Sequence, residues 1–121
     1  MSDSAVMIMT TVDSESQADT VCRALIEQNL AACIQELPVS SRYRWQGEIQ
    51  RDREILLLVK TAADVAGAAM QAIERLHDYE VPEILAVPVT AGLPAYLQWL
   101  VTETRTGGDG LTDSSTPPGK S

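Results

Sequence analysis

Phenylalanine is absent from these 121 residues, and aromatic side chains amount to only 4%. A core built without it must be packed from Val, Ile, Leu, Ala and Met, which the 45% hydrophobic content supplies. There is one histidine, His77, and no Gly-x-Ser-x-Gly elbow. A hydrolytic triad would therefore have a single general base and no nucleophile turn, so no catalytic reaction is expected. Phosphate-cradling loops are missing too: the glycine run "TGGDG" at 106–110 follows the last helical pattern instead of joining a strand to a helix. Nothing marks an organic cofactor.

Cations are scarce. Nine Lys and Arg stand against 17 Asp and Glu, for a net charge of −8. Nucleic acid is excluded as a natural partner, because phosphate neutralisation needs the opposite sign; metal ions, cationic ligands and proteins stay open. Two cysteines, Cys22 and Cys33, allow one disulfide at most and form no CxxC, which points to a reduced, cytoplasmic protein. The start "MSDSAVMIMTTV" has no Lys or Arg before its short apolar run, and no stretch approaches ~18 apolar residues, so neither a secretory leader nor a membrane partner is expected.

What is present falls into one domain of alternating patterns. Residues 5–12 form an apolar, β-branched run that reads as a strand. Ser14 and Gln17 stand at capping-box spacing, and Ala18, Val21, Cys22, Leu25 and Ile26 form a helical stripe that Asn29 can close. From Leu37, alternation puts Leu37, Val39, Tyr43 and Trp45 on one side of a strand. After Gln46-Gly47 a second strand covers 48–61, making a long hairpin with Gly47 at its turn. Residues 61–64 are expected to cap a second helix ending at His77; 83–89 read as a strand and 92–103 as a helix with Pro94 in its first turn.

The order is that of an α+β, ferredoxin-like βαββαβ sandwich with an extra C-terminal helix. Pro38 and Pro88 fall in the second and fourth strands, which are the edges of that fold, whereas the central strands are proline-free. Residues 1–103 make the domain, and the Gly-, Ser- and Pro-rich 104–121 reads as a flexible polar tail.

His77, Glu80 and Glu83 supply imidazole and carboxylate ligands, yet a transition-metal site needs three or four ligands, commonly with more than one nitrogen or sulfur. His77 equally suits the end of the second helix, where its cationic form would meet the dipole. Cys33, in an extended stretch, is either a buried free thiol or a soft-metal ligand. Tyr43 and Trp45 sit too far out on the hairpin for one small sheet to cover, so they are expected to anchor a neighbouring subunit.

The stretches "NLAACIQELPVSSRYRWQGEIQRDREILLLVKT" and "HDYEVPEILAVPVTAGLPAYLQWL" resemble the CutA family of divalent-cation tolerance proteins over about residues 5–103. That resemblance implies a ferredoxin-like subunit, related in shape to PII signalling proteins, that assembles into a homotrimer through its hairpins. It also implies a role in tolerance of copper and other divalent cations. Carried over position by position, Cys33 is the cysteine of "LAAC", Trp45 the hairpin tryptophan, Lys60 the lysine of "KT", and His77 the histidine before Tyr79, Glu80, Pro82 and Glu83.

The implied metal set is His77, Cys33, Glu80 and Glu83, with Lys60, Tyr79 and Trp45 lining an intersubunit cleft. Asp78 replaces the family's usual proline, and Thr10 stands where some copper-binding members have cysteine. The implied site is thus mixed His/carboxylate in character. A small-molecule sensor, or an enzyme in which Lys60 fixes an anion and His77 donates or accepts a proton, is the alternative.

Overall fold

The computed structural model of the chain describes residues 4–105. Seven elements follow in the order β1 Ala5–Val12, α1 Glu15–Glu27, β2 Cys33–Trp45, β3 Glu48–Ala62, α2 Ala66–Leu76, β4 Leu85–Pro88 and α3 Pro94–Glu103. The four strands form one antiparallel sheet in the order β2-β3-β1-β4. This is the ferredoxin-like arrangement, and it leaves Pro38 and Pro88 on edge strands, where no ladder donor is lost.

Local chemistry explains the boundaries of α1. Its Ser14 hydroxyl accepts from the Gln17 amide at 3.1 Å. At the far end Asn29 takes φ 59°, and the pair of bonds Leu30 N–H to Leu25 O (2.8 Å) and Asn29 N–H to Ile26 O (3.1 Å) forms a Schellman motif. The Gln17 side chain does not reach back, as a full capping box would require. It turns to α2 instead, donating to Leu76 O at 3.3 Å and accepting from the Asp78 amide at 2.6 Å.

α2 departs from expectation at its start. Val65 is the N-cap and offers no side-chain bond, Thr61 is wholly buried in β3, and Asp64 pairs with Arg105 instead. β2 begins earlier than the alternation indicated, at Cys33, because residues 33–36 pair with 57–60 of β3. β4 is shorter than the 83–89 expected. The tail expected from 104 has its first two residues in the fold: Thr104 is buried, and Arg105 forks onto Asp64 at 2.9 and 3.1 Å. Residues 106–121 lie outside the described residues.

One face of the sheet carries α1 and α2 over a core that includes Ile8, Val12, Val21, Leu25, Leu57 and Ile73, all fully buried. Alanines 66, 69 and 72 let α2 sit close to that core. The opposite face is largely bare. Register places Leu37, Leu56 and Thr11 in one row of it, and Gln35, Leu58, Met9 and Leu85 in the next. Leu37 is 41% exposed and Leu85 56%.

β1 pairs with β3 only at 55–62. Residues 39–45 and 48–54 therefore pair only with each other, as a two-stranded ribbon that projects roughly 23 Å at ~3.3 Å per residue. Gln46 and Gly47, with φ of 53° and 81°, make its turn, and Trp45 at the tip is 58% exposed.

Candidate functional site

Where α2 ends, His77 leaves helical geometry with φ −75° and ψ 140°. Its ring turns towards β1. Nε2 lies 2.8 Å from the Thr11 carbonyl, and Nδ1 accepts the Tyr79 amide proton at 3.2 Å. A carbonyl can only accept and an amide can only donate, so this pattern selects the neutral tautomer with its proton on Nε2. Both nitrogens are then engaged, and no lone pair faces outward for a metal. The helix-dipole role expected of a cationic His77 is not what the ring performs; it joins α2 to β1.

Tyr79 packs its ring against His77 at a centroid distance of 4.8 Å. Its hydroxyl donates to the Glu54 carboxylate at 2.7 Å. Burial, then this bond and the nearby charges of Glu54 and Asp13, push the Tyr79 phenol well above its ordinary range. One step further along the ribbon, the Tyr43 hydroxyl donates to Asp52, and that bond raises the Tyr43 phenol as well. The ribbon therefore carries a paired row of phenols and carboxylates, joined at its root to the α2 terminus through Tyr79.

A second group forms where β2 begins. Cys33 is directly opposite Lys60, whose ammonium donates to Gln35 Oε1 at 2.6 Å. Tyr96, brought over by α3 and stacked on Trp99 at 5.8 Å, lies beside Cys33; burial first, then the Cys33 sulfur, raises its phenol. The other cysteine is chemically quiet. Cys22 donates to Glu36 at 3.9 Å, and burial with the Glu36 charge pushes its thiol up to about 12, so it stays protonated at neutral pH.

The two groups stand apart. Thr11, which His77 touches, is opposite Leu56, whereas Cys33 is opposite Lys60; the two lie four positions apart on β3, about 13 Å of strand. Glu80 and Glu83 are exposed, without an ion pair among the described residues. No three His, Cys, Asp or Glu among the described residues are close enough together to hold a metal. Within one subunit the residues His77, Cys33, Glu80 and Glu83 thus do not make a complete coordination shell. Gln17, Glu54 and Tyr96 were not anticipated as part of these groups, since their partners are distant in sequence.

A family model described as CutA1 divalent ion tolerance protein matches residues 6–103. The chain belongs to this family. It is 45% identical over 95 residues to the divalent-cation tolerance protein CutA of Thermus thermophilus, an alignment covering 78% of this chain and 92% of that protein. It is 40% identical over 96 residues to mouse protein CutA, covering 77% of this chain but only 54% of the mouse protein. The crystal structure of CutA from Xylella fastidiosa superposes with a TM-score of 0.82 at 42% identity, covering 84% of this chain and 99% of that one.

On this CutA1 frame the position of Thr10 becomes specific. It is wholly buried, opposite Leu57 on the helix-facing side, and its hydroxyl has no hydrogen-bond partner among the described residues. Cys33 and Lys60 belong to the other face. A ligand at position 10 and one at position 33 would thus point to opposite sides of the sheet in one subunit. No helix among the described residues is long and apolar enough to cross a membrane.

Proposed function

We infer that this CutA1-family chain works as a homotrimer that binds divalent cations, copper foremost, at the boundaries between subunits. The observation that carries the reading is the bare sheet face. Leu37, Leu85 and Val87 are exposed beside half-buried Met9, Leu56 and Leu58, and a ribbon bearing Tyr43 and Trp45 extends from the same side. Exposed apolar area of this extent favours association, and the family resemblance favours three copies. Association also supplies what one subunit is short of. Glu80 and Glu83 are free to coordinate, Cys33 adds a soft donor, and Trp45 from a neighbour would screen the cleft. His77 joins the ligand set only by releasing Thr11 or Tyr79, so it is a weaker candidate than the carboxylates.

Copper titration of wild type, His77→Ala and Glu80→Ala/Glu83→Ala under reducing conditions tests this, with light scattering on each sample. The carboxylate double variant is expected to lose affinity while remaining trimeric. Equal affinities in all three proteins, or a monomeric wild type, would sink the reading. A cytoplasmic address belongs to the same inference, and the free thiols of Cys22 and Cys33 suit a reducing compartment.

The Cys33, Lys60 and Tyr96 group favours one alternative: a PII-like sensor, or an enzyme, that holds a small anion against Lys60. A thermal-shift screen of anionic metabolites on metal-stripped protein separates the two, since hits abolished by Lys60→Met would support the sensor.

A further inference from the structure

A groove of about 650 Å³ runs between α2 and the irregular segment 80–84 that leads into β4. Its α2 wall includes Gly67, Met70 and Glu74; the opposite wall includes Glu80, Val81 and Ile84. Lys and Arg are absent from its lining, and neither carboxylate has an ion-pair partner among the described residues. Val81 holds its side chain in the open at 85% exposure.

Two features mark the groove as unfinished. Among the described residues, none of 80–84 takes part in a backbone–backbone hydrogen bond, so one wall offers carbonyls and, Pro82 apart, amides without a backbone partner. Gly67 is the second. It is the second residue of α2, where glycine costs helix stability relative to alanine, yet its φ is not positive and a Cβ there would meet nothing within 4 Å. Nothing within the subunit needs the missing side chain; its effect is to leave that end of the groove open.

We propose that this groove docks a short, extended, basic segment of a partner protein. Met70, Val81 and Ile84 on the two walls take one or two aliphatic side chains between them, the backbone of 80–84 pairs with the segment's own, and Glu74 and Glu80 meet its Lys or Arg. The segment 106–121 is a poor occupant despite Lys120, because its single leucine, Leu111, stands between Asp109 and Asp113. α2, which forms one wall, packs on the helix-bearing side of the sheet; Glu80 also belongs to the proposed ligand set, so metal and segment would compete for it.

The test uses the full chain, with its methionine and isoleucine methyls labelled for NMR. Its probes are the acetylated octapeptide GRLKVKRG and the charge-reversed GELEVEEG. The basic peptide is expected to shift the Met70 and Ile84 methyls saturably, and the acidic one to leave them unmoved. Glu74→Gln/Glu80→Gln should weaken binding about fivefold, in line with two exposed charge pairs. Gly67→Leu should abolish it with the circular dichroism unchanged. Shifts confined to other methyls, equal binding of both peptides, indifference to Gly67→Leu, or a groove already filled by a second copy so that no peptide binds, would each overturn the proposal.

Discussion

The Tyr79 hydroxyl donates to the Glu54 carboxylate at 2.7 Å across 25 residues of sequence, joining the end of α2 to the root of the ribbon. Among the described residues no backbone bond makes that connection; the ribbon is otherwise held by its continuity with β2 and β3.

Tyr79→Phe keeps the ring against His77 and removes only the bond. A stability loss of about 1–2 kcal/mol is expected by urea denaturation. The pH dependence has a definite sign. The folded phenol sits above its ordinary value of 10.0, so its contribution is complete below pH 10 and is lost as pH rises through the higher folded value. Wild type should therefore weaken more steeply than Tyr79→Phe between pH 10 and 11.

His77→Ala strands the Thr11 carbonyl and the Tyr79 amide together. Thr11 is buried, so the cost should be about 1–3 kcal/mol. The same cost should appear in chelator and in excess copper, because it arises from joining α2 to β1. A cost that grows in excess copper, because only wild type is then stabilised by the ion, would place His77 on the metal instead.

Thr10 and Thr61 bury hydroxyls that have no partner among the described residues. Thr10→Val and Thr61→Val replace each with a methyl of the same shape in a strand, where valine is well suited. Each should raise stability by about 1 kcal/mol, read from the urea midpoint at unchanged slope.

Leu37→Glu combined with Leu85→Lys places charges on the bare sheet face at positions already exposed in the subunit. Far-UV circular dichroism should be preserved, while sedimentation velocity should show loss of the assembled species. Trp45→Ala should weaken the same assembly by about 2 kcal/mol or more if the indole is a central anchor.

Much of the fold was legible because its signals are local. Ser14, Asn29 and the Gln46-Gly47 turn act within a few residues of themselves, and Pro38 and Pro88 exclude their strands from the centre of any sheet. What escaped was long-range. Cys33 to Glu36 are strand because β3 lies beside them, and no alternation in the segment says so. Gln17 fits a capping box by spacing, yet a helix end 59 residues away has the stronger claim on its amide. His77 bonds to a backbone carbonyl, an acceptor that every residue type carries, so no sequence pattern could have nominated Thr11.

The ribbon also divides the chain into parts that should breathe on different clocks. Residues 55–60 of β3 are paired with a strand on both sides, whereas 48–54 have one neighbour and are mostly exposed. A lone two-stranded hairpin is marginal in water, so in dilute, dissociated protein the amides of 39–54 should exchange with deuterium long before those of the central strands. Raising the concentration should slow the first group and leave the second untouched, making ribbon order an index of how many copies have met.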